Sequence, residues 1–234
     1  MYWTPIRKRV VFIFFLLVLL TSDFIRPLPA QSTTTLRIYL ARHGETDWNA
    51  EGRLQGDTDT ELNGLGRKQA MDLAERLKSI HLDAVYSSTL RRSRDTAEVA
   101  RGSATLQTLA GLGERRVGKF QGQRVEADAA LKTEFDRRVR IPDDDLGGGE
   151  SLNQFYARVR GALDTILSRH RSGTILIVGH SRTNQMILRS VFGWTADQAI
   201  AVDQGNAELY VIELEERSPP RLLKVITEAN LGDL

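Results

Sequence analysis

The fold is decided by residues 36–45, which read LRIYLARHGE. The first six are short, mostly apolar and followed by charge, which predicts a buried strand ending near Arg42. A second stretch of this kind, TILIV at residues 174–178, is followed by Gly179 and His180. Such strands alternate here with helix-like segments, which is typical of a mainly parallel sheet covered by helices on both faces. The predicted fold class is therefore an α/β three-layer sandwich.

Further strands and helices follow from the same patterns, and no internal repeat or linker divides the chain. We therefore predict one domain over residues 35–230. Residues 42–62 are polar and aperiodic, and a loop of that length in a compact domain is usually functional. The remaining strands are predicted at residues 83–87, 105–109, 207–214 and 221–228, and the helices at residues 63–80, 89–101, 126–139, 151–169 and 181–191.

The first thirty residues differ from the rest. Basic residues at positions 7–9 precede an unbroken apolar run over residues 10–20, and a proline-bearing stretch ends at Ala30. This order is typical of a secretory signal peptide. The run is shorter than the roughly 20 apolar residues of a membrane span. The alternatives to a cleaved signal peptide are an uncleaved membrane anchor and a buried core helix. We expect export to the periplasm or the cell exterior, with residues 1–30 cleaved or residues 10–20 retained as a membrane anchor.

Composition excludes several kinds of site. The chain has 234 residues and no cysteine, which excludes disulfides, cysteine-ligated metals and a cysteine nucleophile. A metal site built mainly from imidazoles would need most of the four histidines. The net charge of +2 depends on the leader, because residues beyond position 30 retain 28 of the 32 basic and 29 of the 30 acidic residues. The sequence therefore gives no argument for nucleic-acid binding.

The candidate site lies where the predicted strands end. Ligands in such sheets bind beyond the carboxyl ends of the strands, a rule that selects His43, Ser88 and His180. Arg92 lies at the start of the next helix, where a guanidinium and free backbone N–H groups can face one anion. Two imidazoles with Arg42 and Arg92 suit an anion better than a metal, and phosphate is the best match for several guanidinium donors.

Seven short motifs follow one another in the order of a known family. Each is weak alone, but the ordered series is specific and covers nearly all of the chain after the leader. The chain resembles the histidine phosphatase superfamily, also called the phosphoglycerate mutase-like family, and in particular its phosphatase branch. The motifs are Arg42-His43-Gly44-Glu45-Thr46, Arg53-Leu54-Gln55-Gly56, Leu62-Asn63-Gly64-Leu65-Gly66, Ser87-Ser88-Thr89-Leu90-Arg91-Arg92, Leu112-Gly113-Glu114, Gly149-Glu150-Ser151 and Val178-Gly179-His180.

The resemblance implies a role for each site residue. His43 is the expected nucleophile, which forms a phosphohistidine and whose other ring nitrogen is held by a nearby backbone acceptor. Arg42, Arg92 and His180 are expected to clamp the phosphoryl oxygens. Glu114 is expected to give a proton to the departing oxygen and then to take one from water. No metal or cofactor is required, because the cationic side chains supply the charge.

Secondary positions and alternatives follow from the same motifs. Arg91 is the alternative to Arg92, and an exposed carboxylate in a charged turn is the alternative role for Glu114. Many relatives have glycine directly after the second histidine, where this chain continues with residues 181–184. The sequence does not decide whether Arg182 or Asn184 enters the pocket. The expected substrate-binding residues are Asn49, Gln55, Gly56 and Ser181, the last also as a helix cap.

The predicted function is a metal-independent phosphomonoesterase. One alternative is a phosphoglycerate mutase, which the sequence disfavours because only 36 positions separate Glu114 from Glu150 and leave little room for a covering insertion. The other alternative is a non-catalytic phosphate-binding protein, which we would expect to lack the nucleophile or the acid. The partner is a small phosphate ester or a phosphoprotein. Sugar phosphates, nucleotides and envelope components stay open, as does the oligomeric state.

Overall fold

Six strands form one sheet in the part of the chain that this computed structural model describes, residues 34–206 and 208–226. They are β1 (Thr35–Arg42), β2 (Ala84–Ser87), β3 (Leu106–Thr108), β4 (Gly173–Gly179), β5 (Leu209–Glu215) and β6 (Arg221–Ile226). Their order across the sheet is β3-β2-β4-β1-β5-β6. The first four run parallel, whereas β5 is antiparallel to β1, and β6 is antiparallel to β5.

Seven α-helices join these strands. They are α1 (Asp47–Ala50), α2 (Gly64–Leu77), α3 (Arg91–Ala100), α4 (Ala129–Arg138), α5 (Leu152–Arg169), α6 (Ser181–Phe192) and α7 (Ala196–Ile200). The two longest begin at side-chain caps: Asn63 accepts from the Gly66 N–H before α2, and Ser151 forms a capping box with Gln154 before α5. Short 3₁₀ turns lie at residues 110–112, 118–120 and 125–127.

The helices cover both faces of the sheet, as predicted for a three-layer sandwich. Alternation along β1 divides its side chains between the faces. Ile38 and Leu40 pack in one cluster with α5, α6 and α7, whereas Tyr39 and Ala41 pack in a second cluster with α2 and α3. Both clusters are buried, so the sheet is the middle layer.

A third, smaller core lies in the segment between β3 and α5. Phe120 is fully buried there, and its ring meets that of Phe135 from α4 edge-on at 5.1 Å between centroids. Val117, Val125, Val139 and Leu146 complete the cluster. Phe120 is therefore a packing residue, and the cluster stabilises the segment between Glu114 and Glu150.

The predicted elements agree with the structure except at two short helices. The segment 42–62 contains α1, and α7 lies where no helix was predicted. Residues 1–30 lie outside the described residues, as do residue 207 and residues 227–228 of the two predicted closing strands, so the leader stays a prediction. Among the described residues, no helix is both long and apolar enough to cross a membrane.

Candidate active site

Two adjacent parallel strands bring the two motif histidines together. Arg42 at the end of β1 is in register with Gly179 at the end of β4, so the next residue of each strand is a histidine. The His43 N–H donates to the Gly179 carbonyl at 3.1 Å, and the rings of His43 and His180 lie 5.0 Å apart between centroids. Both rings are buried. The strand-end rule therefore located both histidines correctly from the sequence.

The hydrogen bonds of His43 determine its tautomer. Nδ1 lies 2.7 Å from the Gly44 carbonyl oxygen, which can only accept, so Nδ1 carries the proton. Nε2 accepts from Nε of Arg92 at 3.2 Å and is therefore the unprotonated nitrogen that carries the lone pair. Burial, together with the positive charges of Arg92 and Arg42, holds the pKa of His43 well below its usual range. The ring is neutral, as a nucleophile requires, and the backbone acceptor expected beside it is the Gly44 carbonyl.

His180 is oriented from the end of β2. Its Nε2 lies 2.7 Å from the hydroxyl of Ser88, which also accepts from the Leu90 N–H at 3.2 Å. The other ring nitrogen, Nδ1, is buried without a hydrogen-bond partner among the described residues. Burial and the positive charge of Arg92 hold the pKa of His180 well below its usual range. One end of this ring is thus held by the protein, whereas the other end is unsatisfied.

Arg92, and not Arg91, reaches the histidines. The Arg92 guanidinium is buried and donates to the carbonyls of Thr58 at 2.7 Å and Gly56 at 2.9 Å, besides His43. Burial lowers the pKa of Arg92 to about 10, which leaves it charged at neutral pH. Arg91 instead pairs with Glu61 at the surface, at 2.6 Å.

Arg42 faces the same space from the end of β1. Its Nη1 donates to the Gln204 carbonyl at 2.7 Å, whereas its Nε is buried with no partner among the described residues. Burial lowers the pKa of Arg42, and the negative charge of Glu114 is the largest opposing effect. A guanidinium with an unsatisfied N–H in a buried position is a ready ligand for an anion.

Glu114 is held mainly by two backbone N–H groups, and the Thr183 hydroxyl lies 3.4 Å from its Oε1. Its Oε1 accepts from the Arg115 N–H at 2.9 Å, and its Oε2 accepts from the Arg182 N–H at 3.1 Å. Glu114 lines the same cleft as His43, and the structure does not support the alternative of a fully exposed carboxylate. Its neighbour Arg115 is buried, which also disagrees with that alternative, whereas Arg116 is exposed.

A cleft of about 550 Å³ joins these groups, a size typical of sites for small molecules. His180 is not part of its wall and lies against His43. Five arginines and three acidic residues contribute to the wall, and the charged members that the sequence did not single out are Arg115, Glu126 and Asp203. The predicted residues along it are Arg42, His43, Asn49, Gln55, Gly56, Arg92, Glu114 and Ser181.

Asn49 and Gln55 present donors to the cleft. The side-chain oxygen of Asn49 accepts from the Thr46 N–H at 3.2 Å, and that of Gln55 accepts from the hydroxyls of Thr46, at 3.1 Å, and Thr60. In both cases the amide NH₂ is the end left for a ligand. Gly56 has a positive φ of 52°, and its carbonyl holds Arg92.

Ser181 begins α6 but does not cap it. His180 occupies the N-cap position and gives no side-chain cap, so the predicted capping role of Ser181 is wrong. Arg182 lines the cleft, whereas Asn184 is buried beneath it and donates to Ala41 O at 3.0 Å and Gln204 Oε1 at 2.7 Å. The structure thus decides between the two residues that the sequence left open.

The other two acidic residues of the motifs form structural contacts, and the other two histidines lie away from the cleft. Glu45 accepts from the Asn63 side chain at 2.9 Å, and Glu150 is paired with Arg158 at 2.8 Å. His81 is largely exposed, and the Nε2 of His170 lies 2.8 Å from the hydroxyl of Tyr86. Among the described residues, no group of three or more acidic or histidine side chains is arranged to hold a metal ion.

Comparison with known proteins agrees with this geometry. The sequence model of the histidine phosphatase superfamily (branch 1) matches residues 38–226. The chain belongs to that superfamily. This histidine phosphatase is 35% identical over 187 residues to a metal-independent phosphoserine phosphatase of Arabidopsis thaliana, with 77% of each chain covered. It is 38% identical over 162 residues to the phosphoglycerate mutase-like protein 4 of the same plant, with 66% of this chain and 69% of that protein covered.

Solved structures share the fold of this histidine phosphatase. YhfR of Bacillus stearothermophilus superimposes with a TM-score of 0.69 and 27% identity, covering 80% of this chain and 95% of that one. The predicted three-layer architecture and the predicted family are therefore confirmed. Together with the relatives, they identify the chain as a phosphatase enzyme.

Proposed function

We propose that this histidine phosphatase hydrolyses small phosphate monoesters in two steps, through a phosphohistidine on His43. The observation that carries the proposal is the neutral His43 ring, whose Nδ1–H is held by the Gly44 carbonyl so that Nε2 offers its lone pair. In the first step Nε2 attacks phosphorus and the bond to the ester oxygen breaks. In the second step water attacks the same phosphorus and frees His43.

The groups around His43 are suited to hold the phosphoryl oxygens. Arg42 has an unsatisfied Nε, His180 has an unsatisfied Nδ1, and Arg92 already lies 3.2 Å from the attacking nitrogen. The Ser181 N–H at the first turn of α6 adds a donor with the favourable end of the helix dipole. These donors are in place before reaction and need little reorganisation as charge moves onto the oxygens.

Glu114 is the residue to which we assign both proton transfers. Its carboxylate lines the cleft together with His43, so it is suited to protonate the departing alcohol oxygen. The resulting carboxylate, held by two backbone N–H groups, then accepts a proton from the attacking water. This second transfer makes the reaction a hydrolysis, whereas a mutase returns the phosphoryl group to a bound acceptor.

The decisive assay is release of phosphate from p-nitrophenyl phosphate in the presence of a metal chelator. We expect turnover by the unaltered protein, loss of turnover in His43→Ala and normal turnover in His81→Ala, the control for a largely exposed histidine. Turnover that His43→Ala leaves intact would contradict the nucleophile. Phosphoryl transfer between phosphoglycerates with no free phosphate would support the mutase alternative, and binding without either reaction would support a phosphate-binding protein.

Glu114→Gln separates the two steps. Because p-nitrophenolate leaves without a proton, the first step continues, whereas the second loses its base. We expect a burst of about one nitrophenolate per enzyme, an acid-labile phosphoprotein and steady turnover lowered by about 10²–10⁴-fold. The absence of a burst together with unaltered steady turnover would assign the proton transfers to another residue.

The location of the protein outside the cytoplasm is part of the proposal. It is supported by the basic start, the apolar run over residues 10–20 and the small residue Ala30. N-terminal sequencing of the protein from its native cell is expected to begin near residue 31, or to find the leader retained in the membrane fraction. A soluble cytoplasmic species that keeps Met1 would contradict it.

A further inference from the structure

The loop between α7 and β5 contacts two residues of the site. The Gln204 carbonyl accepts from Nη1 of Arg42 at 2.7 Å, and the side-chain amide of Asn206 donates to the His43 carbonyl at 2.8 Å. Neither loop residue belongs to a motif that the sequence analysis identified. The end of β1 is therefore supported by a part of the chain to which no role in the reaction has been assigned.

The side chain of Gln204 is buried and bonded at both ends of its amide. It is 2% exposed, and its Nε2 donates to the carbonyls of Leu40, at 3.0 Å, and Glu208, at 3.2 Å. Carbonyl oxygens only accept, so these bonds determine which end of the amide is NH₂. The other end, Oε1, accepts from Nδ2 of Asn184 at 2.7 Å. Gln204 thus connects the loop to β1 and, through Asn184, to α6.

Asn184 supports Gln204 from the first turn of α6. It is 1% exposed, and its Nδ2 also donates to the Ala41 carbonyl at 3.0 Å. Its Oδ1 is buried with no partner among the described residues and lies so close to Gly179 that a Cβ there would overlap it. A buried oxygen without a donor is unfavourable, and a leucine of similar size would avoid that cost. The amide at this position is explained by the bonds that its NH₂ group makes.

The direction of the Arg42 guanidinium depends on where the Gln204 carbonyl lies. Nη1 of Arg42 is held by that carbonyl, whereas its Nε is buried with no partner among the described residues. A free arginine side chain must lose rotamer freedom when it binds an anion, whereas a held one has lost that freedom already. The bond from Nη1 therefore orients the guanidinium in the free protein and leaves Nε for a ligand.

We propose that Gln204 and Asn184 are positioning residues for Arg42, which together fix the Gln204 carbonyl and so orient the guanidinium for the phosphoryl oxygens before the substrate binds. The inference rests on the proposed function, because it assigns Arg42 to the phosphoryl group. Neither amide is part of the described wall of the cleft, so neither is placed to touch the substrate. Their effect on the reaction passes through Arg42 and should disappear when Arg42 is removed.

A double-mutant cycle with Arg42 tests the proposal. Gln204→Met keeps the length of the side chain and the peptide carbonyl but removes the three side-chain hydrogen bonds. We expect it to raise the Kd of inorganic phosphate, measured by calorimetry, and to lower kcat/KM for p-nitrophenyl phosphate, each by about tenfold, because a misdirected guanidinium loses one charge-assisted hydrogen bond. In an Arg42→Ala background, we expect Gln204→Met to change either quantity by less than about twofold.

Two companion variants separate positioning from a general loss of stability. Asn184→Ala removes the support of Gln204, and we expect a loss of about threefold that also disappears without Arg42, which tests the proposal even if Gln204→Met does not fold. Gln185→Met is the matched control, since Gln185 is a buried amide of the same helix that donates to the Val202 carbonyl at 2.7 Å. We expect this control to unfold at lower urea but to keep its phosphate affinity within about twofold.

The cycle gives different results for the two ways in which the reasoning can fail. Equal losses from Gln204→Met with and without Arg42 would overturn the inference, because the residue would then act on the fold in general. Normal phosphate binding by both Gln204→Met and Asn184→Ala would overturn it as well. Failure of the proposed function would instead appear in Arg42→Ala alone, which would bind phosphate and hydrolyse the ester like the unaltered protein and so remove the basis of the inference.

Discussion

Replacement of Gly66 by alanine should damage both stability and catalysis through a single contact. Gly66 lies in the first turn of α2 and touches the backbone that follows the nucleophile. A Cβ atom at Gly66 would lie 2.7 Å from Glu45 N and closer still to the Glu45 carbonyl oxygen. The contact is reciprocal, because a Cβ at Gly44 would lie 2.9 Å from the Gly66 carbonyl carbon.

The expected magnitude follows from these distances. Ordinary non-bonded contacts of carbon lie at about 3.5 Å or more, so the loop and the helix must separate by about 1 Å. Overpacking of this kind costs about 1–3 kcal/mol, and backbone on both sides places Gly66→Ala at the upper end. Gly44 supplies the carbonyl that holds Nδ1 of His43. A misplacement of about 1 Å costs on the order of 10²-fold in rate.

Gly64→Ala provides the matched control in the same helix. A Cβ at Gly64 meets nothing within 4 Å, and alanine favours a helix over glycine by about 1 kcal/mol, so this variant should be as stable as the unaltered protein or slightly more so. Urea unfolding and steady-state hydrolysis of p-nitrophenyl phosphate measure the two effects. If Gly66→Ala matches Gly64→Ala in both, the backbone contact does not position the nucleophile and the reasoning is wrong.

Three further outcomes are expected. Burial lowers the pKa values of His43 and His180, so both rings stay neutral in the folded protein while the unfolded chain takes up protons below about pH 6.5. Their contribution to stability is present above that pH and is lost as the pH falls, by up to about 1.4 kcal/mol per pH unit for each ring. Urea unfolding between about pH 6 and pH 5 should therefore show a shallower pH dependence for His43→Asn than for the unaltered protein, and equal slopes would contradict this. Ser88→Ala removes the partner of His180 Nε2 and the acceptor of the Leu90 N–H, so it should lower kcat/KM by about tenfold and the free energy of unfolding by about 1–3 kcal/mol; a normal kcat/KM would show that Ser88 does not orient the ring. Phe120→Ala should cost about 3–5 kcal/mol by chemical denaturation, because the side chain is fully buried in a small core, and a loss below about 1 kcal/mol would mean that this core can collapse around the gap.

The parts of the fold and site that the sequence predicted depend on local pattern and on one topological rule. β1 is mostly apolar and β4 is a continuous apolar run, so their positions follow from the local sequence alone. Parallel pairing then places the residue after each strand at one edge, which brings His43 to His180. The family motif predicted that Arg92, and not Arg91, belongs to the site. The structure agrees, because Arg92 contacts His43 whereas Arg91 pairs with a surface carboxylate.

The parts that were missed depend on contacts between distant segments. Nothing near Arg115 in the sequence indicates burial, because its acceptors are the carbonyls of Val139 and Glu150, which come from a later loop. The helix α7 was detectable, since Thr195 and Gln198 form a capping box whose spacing is visible in the sequence. Helix α1 carries a weaker form of that signal, with asparagine in place of glutamate or glutamine at the third helical position.

Glu114 is held by the backbone of Arg115 and Arg182, and its position therefore does not depend on their side chains. Peptide N–H groups at positions 115 and 182 survive almost any substitution, proline excepted, so the proton-transfer group keeps its place whatever side chains stand there. Both residues line the cleft. Evolution or design can therefore exchange them to suit a different alcohol while the machinery that cleaves the ester remains intact.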